Sequence, residues 1–118
     1  MRAVHLNNWG IENIHVEDVA DPTPVAGEIL IATEASTIHP ADLGMVTGQF
    51  ASWLPDSITA PYTPGWDLAG RIIGVGDGVD FSLVGSRAVG FSNWVEAGRG
   101  TQASLVALPQ GNVATAGD

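Results

Sequence analysis

Short stretches of alternating apolar and polar residues recur along this 118-residue chain, separated by glycine and proline. The clearest one covers residues 28–38, where Ile29 and Ile31 fall on one face and Leu30 falls on the other. A two-residue period places alternate side chains on opposite faces of a strand. Shorter stretches of the same kind predict further strands at 2–6, 14–19, 67–75, 87–91 and 102–108.

One segment predicts a helix instead of a strand. Pro40 suits the first helical position, Asp42 lies in the first turn, and Gly48 suits the residue that ends the helix. We therefore expect one short helix over 40–46, although Gly44 weakens its interior.

Turns and loops account for the remaining residues. The two prolines of 21–24 exclude a central strand there, because proline donates no backbone hydrogen bond. Residues 49–63 are irregular, and a loop of that length in a compact domain is often functional. We expect a loop at 92–100, and after a turn at 109–112 the tail loses its pattern. Several short strands, few helices and frequent turns predict a mainly β domain, a small barrel or sandwich.

Composition narrows the function classes. The chain has 45% hydrophobic residues, enough for a real core, but no apolar run approaches the roughly 18 residues of a membrane span. Thirteen acidic residues face four arginines, for a net charge of −9, so nucleic-acid binding is not expected. The chain has no cysteine, which excludes disulfides and thiolate chemistry and suits a cytoplasmic protein.

Two segments carry candidate chemistry, and each residue in them has a plainer alternative. His39, beside Pro40, could donate a proton at the edge of a pocket, or it could simply cap a helix. Asp42 is a catalytic candidate, yet acids are also favoured near helix N-termini. Asp67 could orient a ligand or bond the backbone of its own turn. His39 and Asp67 with one more acid could bind a metal, but zinc sites usually need three or four well-spaced ligands.

The large aromatic residues leave the same choice open. Phe50, Trp53, Tyr62 and Trp66 could line an apolar pocket, or each could serve core or loop packing.

The glycines of 74–79 resemble a dinucleotide-binding fingerprint only superficially. That pattern needs three spaced glycines with a strand before them and a helix after them. Here position 79 is valine, and turn-like residues follow instead of a helix. The glycines therefore indicate a hairpin turn.

Taken in order, the segments resemble the N-terminal catalytic domain of the medium-chain dehydrogenase/reductase superfamily, also called the alcohol-dehydrogenase GroES-like domain. The residues that carry the resemblance are 1–4, 16–19, Pro22, Pro24, 27–31, 38–43, Gly48, 64–70, 74–81 and 84–90.

The resemblance implies a partly open, GroES-like β-barrel with one or two short helices. Residues 1–118 would be the catalytic domain, and the Rossmann domain that binds NAD(P) in this superfamily would be absent. Zinc-dependent members place a cysteine in the segment that matches 36–42 and Gly-His-Glu where this chain has Gly65-Trp66-Asp67. The chain therefore resembles the zinc-independent, quinone-oxidoreductase-like branch, in which an asparagine commonly stands where His39 is.

The implied activity is hydride transfer from NADPH, or NADH, to a quinone, an enone or a similar carbonyl compound, without a metal. His39 and Asp42 would be the catalytic candidates, with a bound water as the competing proton donor. The substrate wall would consist of Phe50, Trp53 and Trp66, and the cofactor contacts of Ile38, His39 and Asp67. A homodimer is a candidate assembly of the whole protein, and neither nucleic acid nor a membrane is an expected partner. The alternatives are a stand-alone GroES-like binding or assembly module and a divergent zinc-dependent alcohol dehydrogenase.

Overall fold

A computed structural model describes residues 1–93 and 98–116. The described residues form seven strands and one α-helix, with short 3-10 turns between some of them. The elements are β1 (Arg2–His5), β2 (His15–Asp18), β3 (Glu28–Ala35), α1 (Pro40–Val46), β4 (Asp67–Val75), β5 (Arg87–Phe91), β6 (Leu105–Pro109) and β7 (Val113–Thr115).

Five of the strands form an antiparallel sheet in the order β6-β3-β4-β5-β7. Strand β3 shifts register against β4 at two places, between Leu30 and Ile31 and between Thr33 and Ala35, and such irregularities bend a sheet. No pairing joins β6 to β7 in the described parts of the chain, so the sheet curls without closing. This architecture confirms the predicted mainly β, partly open fold.

The core lies on one face of this sheet. It consists of apolar side chains from alternate positions of four strands, as the two-residue period requires. Its buried members are Ile29, Ile31, Leu68, Ile72, Ala88, Val106 and Leu108.

Strands β1 and β2 pair separately and are attached to the rest by backbone bridges. Ala3 bridges to Ala103, and Leu6 bridges to Tyr62. Leu6 is almost fully buried, so the end of β1 is anchored in the interior, while β2 is largely exposed.

The helix α1 has the predicted bounds, and its ends have clear causes. Gly48 ends it with φ +86°, a left-handed conformation that glycine adopts without strain. Gly44 is buried and packs directly on the Phe50 ring, where a Cβ atom would overlap that ring. The glycine that weakens the helix interior is therefore required by packing.

Four sequence predictions need correction. The strand expected over 28–38 ends at Ala35, and the strand expected over 102–108 begins at Leu105. The tail, where no pattern was visible, contains β7, because three residues beside β5 suffice to extend the sheet. In the predicted hairpin turn only Gly78 has positive φ. Gly76 is instead required because its Cα lies against the Val25 carbonyl.

Part of the loop predicted at 92–100 lies outside the described residues. No helix within the described ranges has both the length and the hydropathy of a membrane span.

Candidate functional site

The site is built around Asp67, the first residue of β4. Its backbone carbonyl accepts two hydroxyl hydrogen bonds, from Thr101 at 2.6 Å and from Ser36 at 2.8 Å. Thr101 is fully buried, and its hydroxyl also lies 3.2 Å from that of Ser36. A carbonyl oxygen can accept two such bonds, so the start of β4 is held between the end of β3 and the 98–104 loop.

Two glycines allow these loops to interlock. Gly65 has φ +109°, and a Cβ there would meet the Thr101 hydroxyl at 2.6 Å. A Cβ on Gly100 would overlap the carbonyls of Pro64 and Gly65. Backbone bonds then close the contact, from Gly100 to Thr63 at 2.7 Å and from Gln102 to Pro64 at 3.0 Å. Only glycine permits this close approach.

The Asp67 side chain joins Thr37 and His39 in one network. The Thr37 hydroxyl donates to Asp67 Oδ1 at 2.6 Å, and the Thr37 amide donates to the same oxygen at 3.1 Å. His39 Nε2 lies 2.6 Å from the Thr37 hydroxyl and 3.1 Å from Asp67 Oδ2. This network explains why β3 ends at Ala35, because the next residues bond to Asp67 instead of a neighbouring strand.

Hydrogen bonds make the carboxyl of Asp67 a stronger acid. The side chain of Thr37 has the largest effect in lowering its pKa below the ordinary value of 3.8, and the Thr37 amide and His39 lower it further against a partial opposing effect of burial. Asp67 is therefore a carboxylate at neutral pH.

Asp42 lies next to this network and has a different task. It is only 4% exposed, and its Oδ2 accepts the His39 amide at 2.8 Å. An acid that bonds the backbone at the start of a helix stabilises that helix. The other carboxyl oxygen, Oδ1, is buried and has no hydrogen-bond partner among the described residues. The Asp42 carboxyl thus fixes the backbone of His39, and the Asp42 amide faces the His39 side chain in the same capping box.

The predicted aromatic wall is divided in two. Phe50 and Trp53 stack with ring centroids 4.8 Å apart, and Trp53 is 75% exposed. A shallow depression beside Phe50 reaches Pro40, the residue after His39. Trp66 is half-buried, and its carbonyl accepts the Ser92 amide at 2.7 Å. The exposed Trp53 ring, stacked on the half-buried Phe50, therefore forms a flat surface, and Trp66 belongs to the loop before β4.

An apolar groove of about 550 Å³ opens beside Thr37 and Asp67, which belong to its lining. The ends of β3, β4, β5 and β7 form it, and Val89 and Phe91 expose their side chains. Neither His39 nor Ile38 lines this groove. Ile38 is 84% exposed and borders a separate depression with Val4 and Val16.

A second histidine cluster lies on the small sheet. His5 Nδ1 contacts Glu17 Oε2 at 3.1 Å, and His15 Nε2 contacts Glu17 Oε1 at 2.8 Å. His15 Nδ1 also lies 3.0 Å from the Asn13 carbonyl. The Asn13 carbonyl, followed by Glu17, raises the pKa of His15, and hydrogen bonds from both histidines lower the pKa of Glu17.

Among the described residues, no group of three or more histidine, aspartate and glutamate side chains is arranged to hold a metal ion. The predicted pair of His39 and Asp67 is brought together, but no third such ligand joins it there.

Sequence reasoning missed Thr37, Thr101 and Ser36. Thr37 had one visible signal, since it lies two residues before His39 in the extended segment that precedes α1. Thr101 and Ser36 had no such signal, because their partner is the backbone carbonyl of Asp67, which lies 34 and 31 residues away from them along the chain.

The chain is similar to known proteins over most of its length. Residues 25–118 match the family described as the alcohol dehydrogenase GroES-like domain. An alcohol dehydrogenase from Moraxella sp. (strain TAE123) is 36% identical over 87 residues, 74% of this chain and 24% of that protein. A quinone oxidoreductase from Rattus norvegicus is 33% identical over 94 residues, 78% of this chain and 27% of that protein.

A comparison with a solved structure also shows similarity over the whole chain. The structure of mycobacterial Rv1454c complexed with NADPH superposes with a TM-score of 0.80 at 26% identity, over 100% of this chain and 34% of that one. The chain spans about a quarter of the length of the curated relatives it matches.

Proposed function

The chain belongs to the alcohol dehydrogenase GroES-like domain family, and from that premise we propose that it forms the substrate side of a zinc-independent, NAD(P)H-dependent oxidoreductase. The proposed substrate is a quinone, an enone or a similar carbonyl compound. The Thr37–His39–Asp67 network, with a proton-exchanging ring at a solvent-accessible position, is the observation that carries the proposal.

The residues around the groove fit one end of a nicotinamide cofactor. An uncharged ring is compatible with a mainly apolar groove that has Thr37 and Asp67 at its wall. A diphosphate is not compatible with it, because the chain carries −9 net charge and no glycine-rich turn leads into a helix within residues 1–93 and 98–116. This chain would therefore contact the ring and leave the phosphates to another domain. NADPH, when bound, would supply the hydride.

The chain's own residues would position the substrate and move a proton. A planar ring could stack on the exposed face of Trp53, which Phe50 holds from behind. His39 would donate the proton that a carbonyl or quinone oxygen requires when the hydride is added, and Asp67 would stabilise the charged imidazolium. Asp42 would act indirectly, through the backbone of His39. Ile38 and Trp66 remain predicted cofactor and substrate contacts.

The donor set supports a reaction without zinc. The chain has no cysteine, and tryptophan stands at position 66, where zinc-dependent members of the superfamily have a histidine. One imidazole and one carboxylate fall short of the three protein ligands of a catalytic zinc site.

The test is a steady-state reduction assay on the whole protein that contains this chain. We expect NADPH-dependent reduction of quinones or enones in metal-free protein, and a roughly tenfold or larger increase in KM for Trp53→Ala. Absence of reduction by the folded whole protein, or activity that requires stoichiometric zinc, would contradict the proposal.

A further inference from the structure

We infer that Thr37 is a positioning residue that fixes the tautomer of His39, so that Nδ1 is the ring nitrogen that exchanges protons. The inference rests on the proposed function, because it assigns the orientation in which His39 would deliver its proton. It follows from the direction of each hydrogen bond in the network.

The first step concerns the proton on the Thr37 hydroxyl. Thr37 Oγ1 lies 2.6 Å from Asp67 Oδ1, and an ionised carboxylate can only accept. The hydroxyl proton therefore lies toward Asp67, and the hydroxyl oxygen can only accept from its other close neighbour. That neighbour is His39 Nε2, also at 2.6 Å.

The second step concerns His39 itself. Both groups near Nε2, the Thr37 oxygen and Asp67 Oδ2 at 3.1 Å, are acceptors. Nε2 must therefore carry a proton in the neutral ring as well as in the imidazolium. A neutral imidazole has one N–H, so Nδ1 is the nitrogen with the free lone pair.

The third step connects the tautomer with the proposed reaction. The Asp42 amide faces the His39 side chain in a capping box without a side-chain hydrogen bond that closes it, and the His39 side chain is 44% exposed, so substrate or water can approach Nδ1. In the proposed reaction the substrate would be reduced by two electrons, with the hydride supplied by a bound nicotinamide cofactor. The imidazolium N–H bond at Nδ1 breaks, an O–H bond forms on the substrate, and the electron pair stays on Nδ1. Solvent then returns the proton to Nδ1.

Thr37 contributes more than Asp67 to holding the His39 ring in one tautomer. Its hydroxyl makes the shorter of the two contacts to Nε2, and its hydroxyl and amide both hold Asp67 Oδ1. Without the hydroxyl, Nε2 keeps only the longer contact, and the ring can exchange one tautomer for the other.

The experiment measures the ¹⁵N chemical shifts of the His39 ring in its neutral form, in the 118-residue chain. We expect a protonated Nε2 and a bare Nδ1 in the original chain. Thr37→Val should change the tautomer ratio roughly fivefold or more, the effect of about one hydrogen bond, and Thr37→Ser should restore it. Thr47→Val is the matched control, since the Thr47 hydroxyl bonds only carbonyls of α1.

An unchanged tautomer ratio in Thr37→Val, or a protonated Nδ1 in the original neutral ring, would overturn the inference. These measurements need no cofactor, so they separate it from the proposed function. In the whole protein, Thr37→Val should lower kcat roughly tenfold with KM nearly unchanged, and Thr37→Ser should recover most of it. A fixed tautomer in a protein that reduces no quinone would contradict the proposed function alone.

Discussion

Two regions of this molecule pair histidine with a carboxylate, and they differ in what surrounds the pair. His39 and Asp67 are joined by a threonine hydroxyl, and interlocked loops hold Asp67. His5 and His15 share Glu17 across two paired strands, and β2 is largely exposed. The first arrangement depends on distant parts of the chain, and the second depends on the register of one strand pair.

The difference also decides which ring nitrogen is available. Both nitrogens of His15 face oxygen acceptors, so its contacts hold the imidazolium and leave neither nitrogen for a substrate. His39 has only Nε2 in its network. A histidine with one nitrogen anchored and one available suits proton transfer, whereas one with both anchored suits a surface ion pair.

The largest effect should follow from breaking the loop contact behind the first pair. Gly65→Ala places a Cβ against Thr101 and the Gln102 amide and forces alanine to positive φ. We expect a loss of about 2 to 4 kcal/mol in the free energy of unfolding, measured by denaturant titration. Gly78→Ala is the control, because its φ is similarly positive, at +82°, but the space around it is open. Equal losses in both variants would show that backbone strain, and not the loop contact, is responsible.

A smaller loss should follow from removing the buried hydroxyl that holds β4. Thr101→Val removes the 2.6 Å bond to the Asp67 carbonyl while keeping the shape of the side chain. We expect about 1 to 2 kcal/mol in the same measurement. Thr115→Val, on exposed β7, should change stability by less than about 0.5 kcal/mol. A Thr101→Val protein as stable as the original would mean that Ser36 alone holds that carbonyl.

The next largest effect should be on the pH dependence of stability, to which the Asp67 carboxylate contributes at acid pH. The folded-state pKa of Asp67 is lowered, so its contribution is fully present above the ordinary value of 3.8 and is lost as pH falls through the lower folded value. Asp67→Asn should therefore flatten the acid side of the stability curve, with Thr37→Val producing part of that change. Asp56→Asn, at an exposed loop position, is the control. Identical acid profiles for Asp67→Asn and the original chain would contradict the assigned network.

The smallest effect should come from the second pair, with the opposite sign. The pKa of His15 is raised above 6.5, so its contribution is fully present below that pH and is lost as pH rises through the raised value. His15→Gln should remove this loss on the alkaline side without changing stability at higher pH. Thermal unfolding at a series of pH values from about 5 to about 9 would show it. A His15→Gln profile with the same slope would assign that slope to another group.

The fold was largely predictable because its signals are local. The bounds of α1, β4 and β5 follow from Pro40, Gly48 and a two-residue period, all visible in short windows. Strand β7 was not predictable, since three residues carry no period and form a strand only because β5 lies beside them. The early end of β3 also depends on a contact that is distant in sequence. Ser36 and Thr37 bond to Asp67, which lies 31 and 30 residues later in the chain.

The candidate site was predictable only in part. Sequence suggested His39 and Asp67, and the structure brings them within 3.1 Å. Sequence did not suggest Thr37, whose hydroxyl bridges them, because its position two residues before His39 does not by itself indicate a contact with Asp67. Asp42 illustrates the converse, since its position in the first helical turn was clear, and its bond to the His39 backbone matches the structural alternative for that acid.

The proposed role of this chain is to form the substrate side of a redox site and to leave most of the cofactor binding to the rest of the protein. Its most direct test compares the affinity for NADPH of the 118-residue chain with that of the whole protein, by calorimetric titration. We expect a Kd of about 1 mM or weaker for the chain and of roughly micromolar for the whole protein. Micromolar binding by the chain alone would contradict this division of the site.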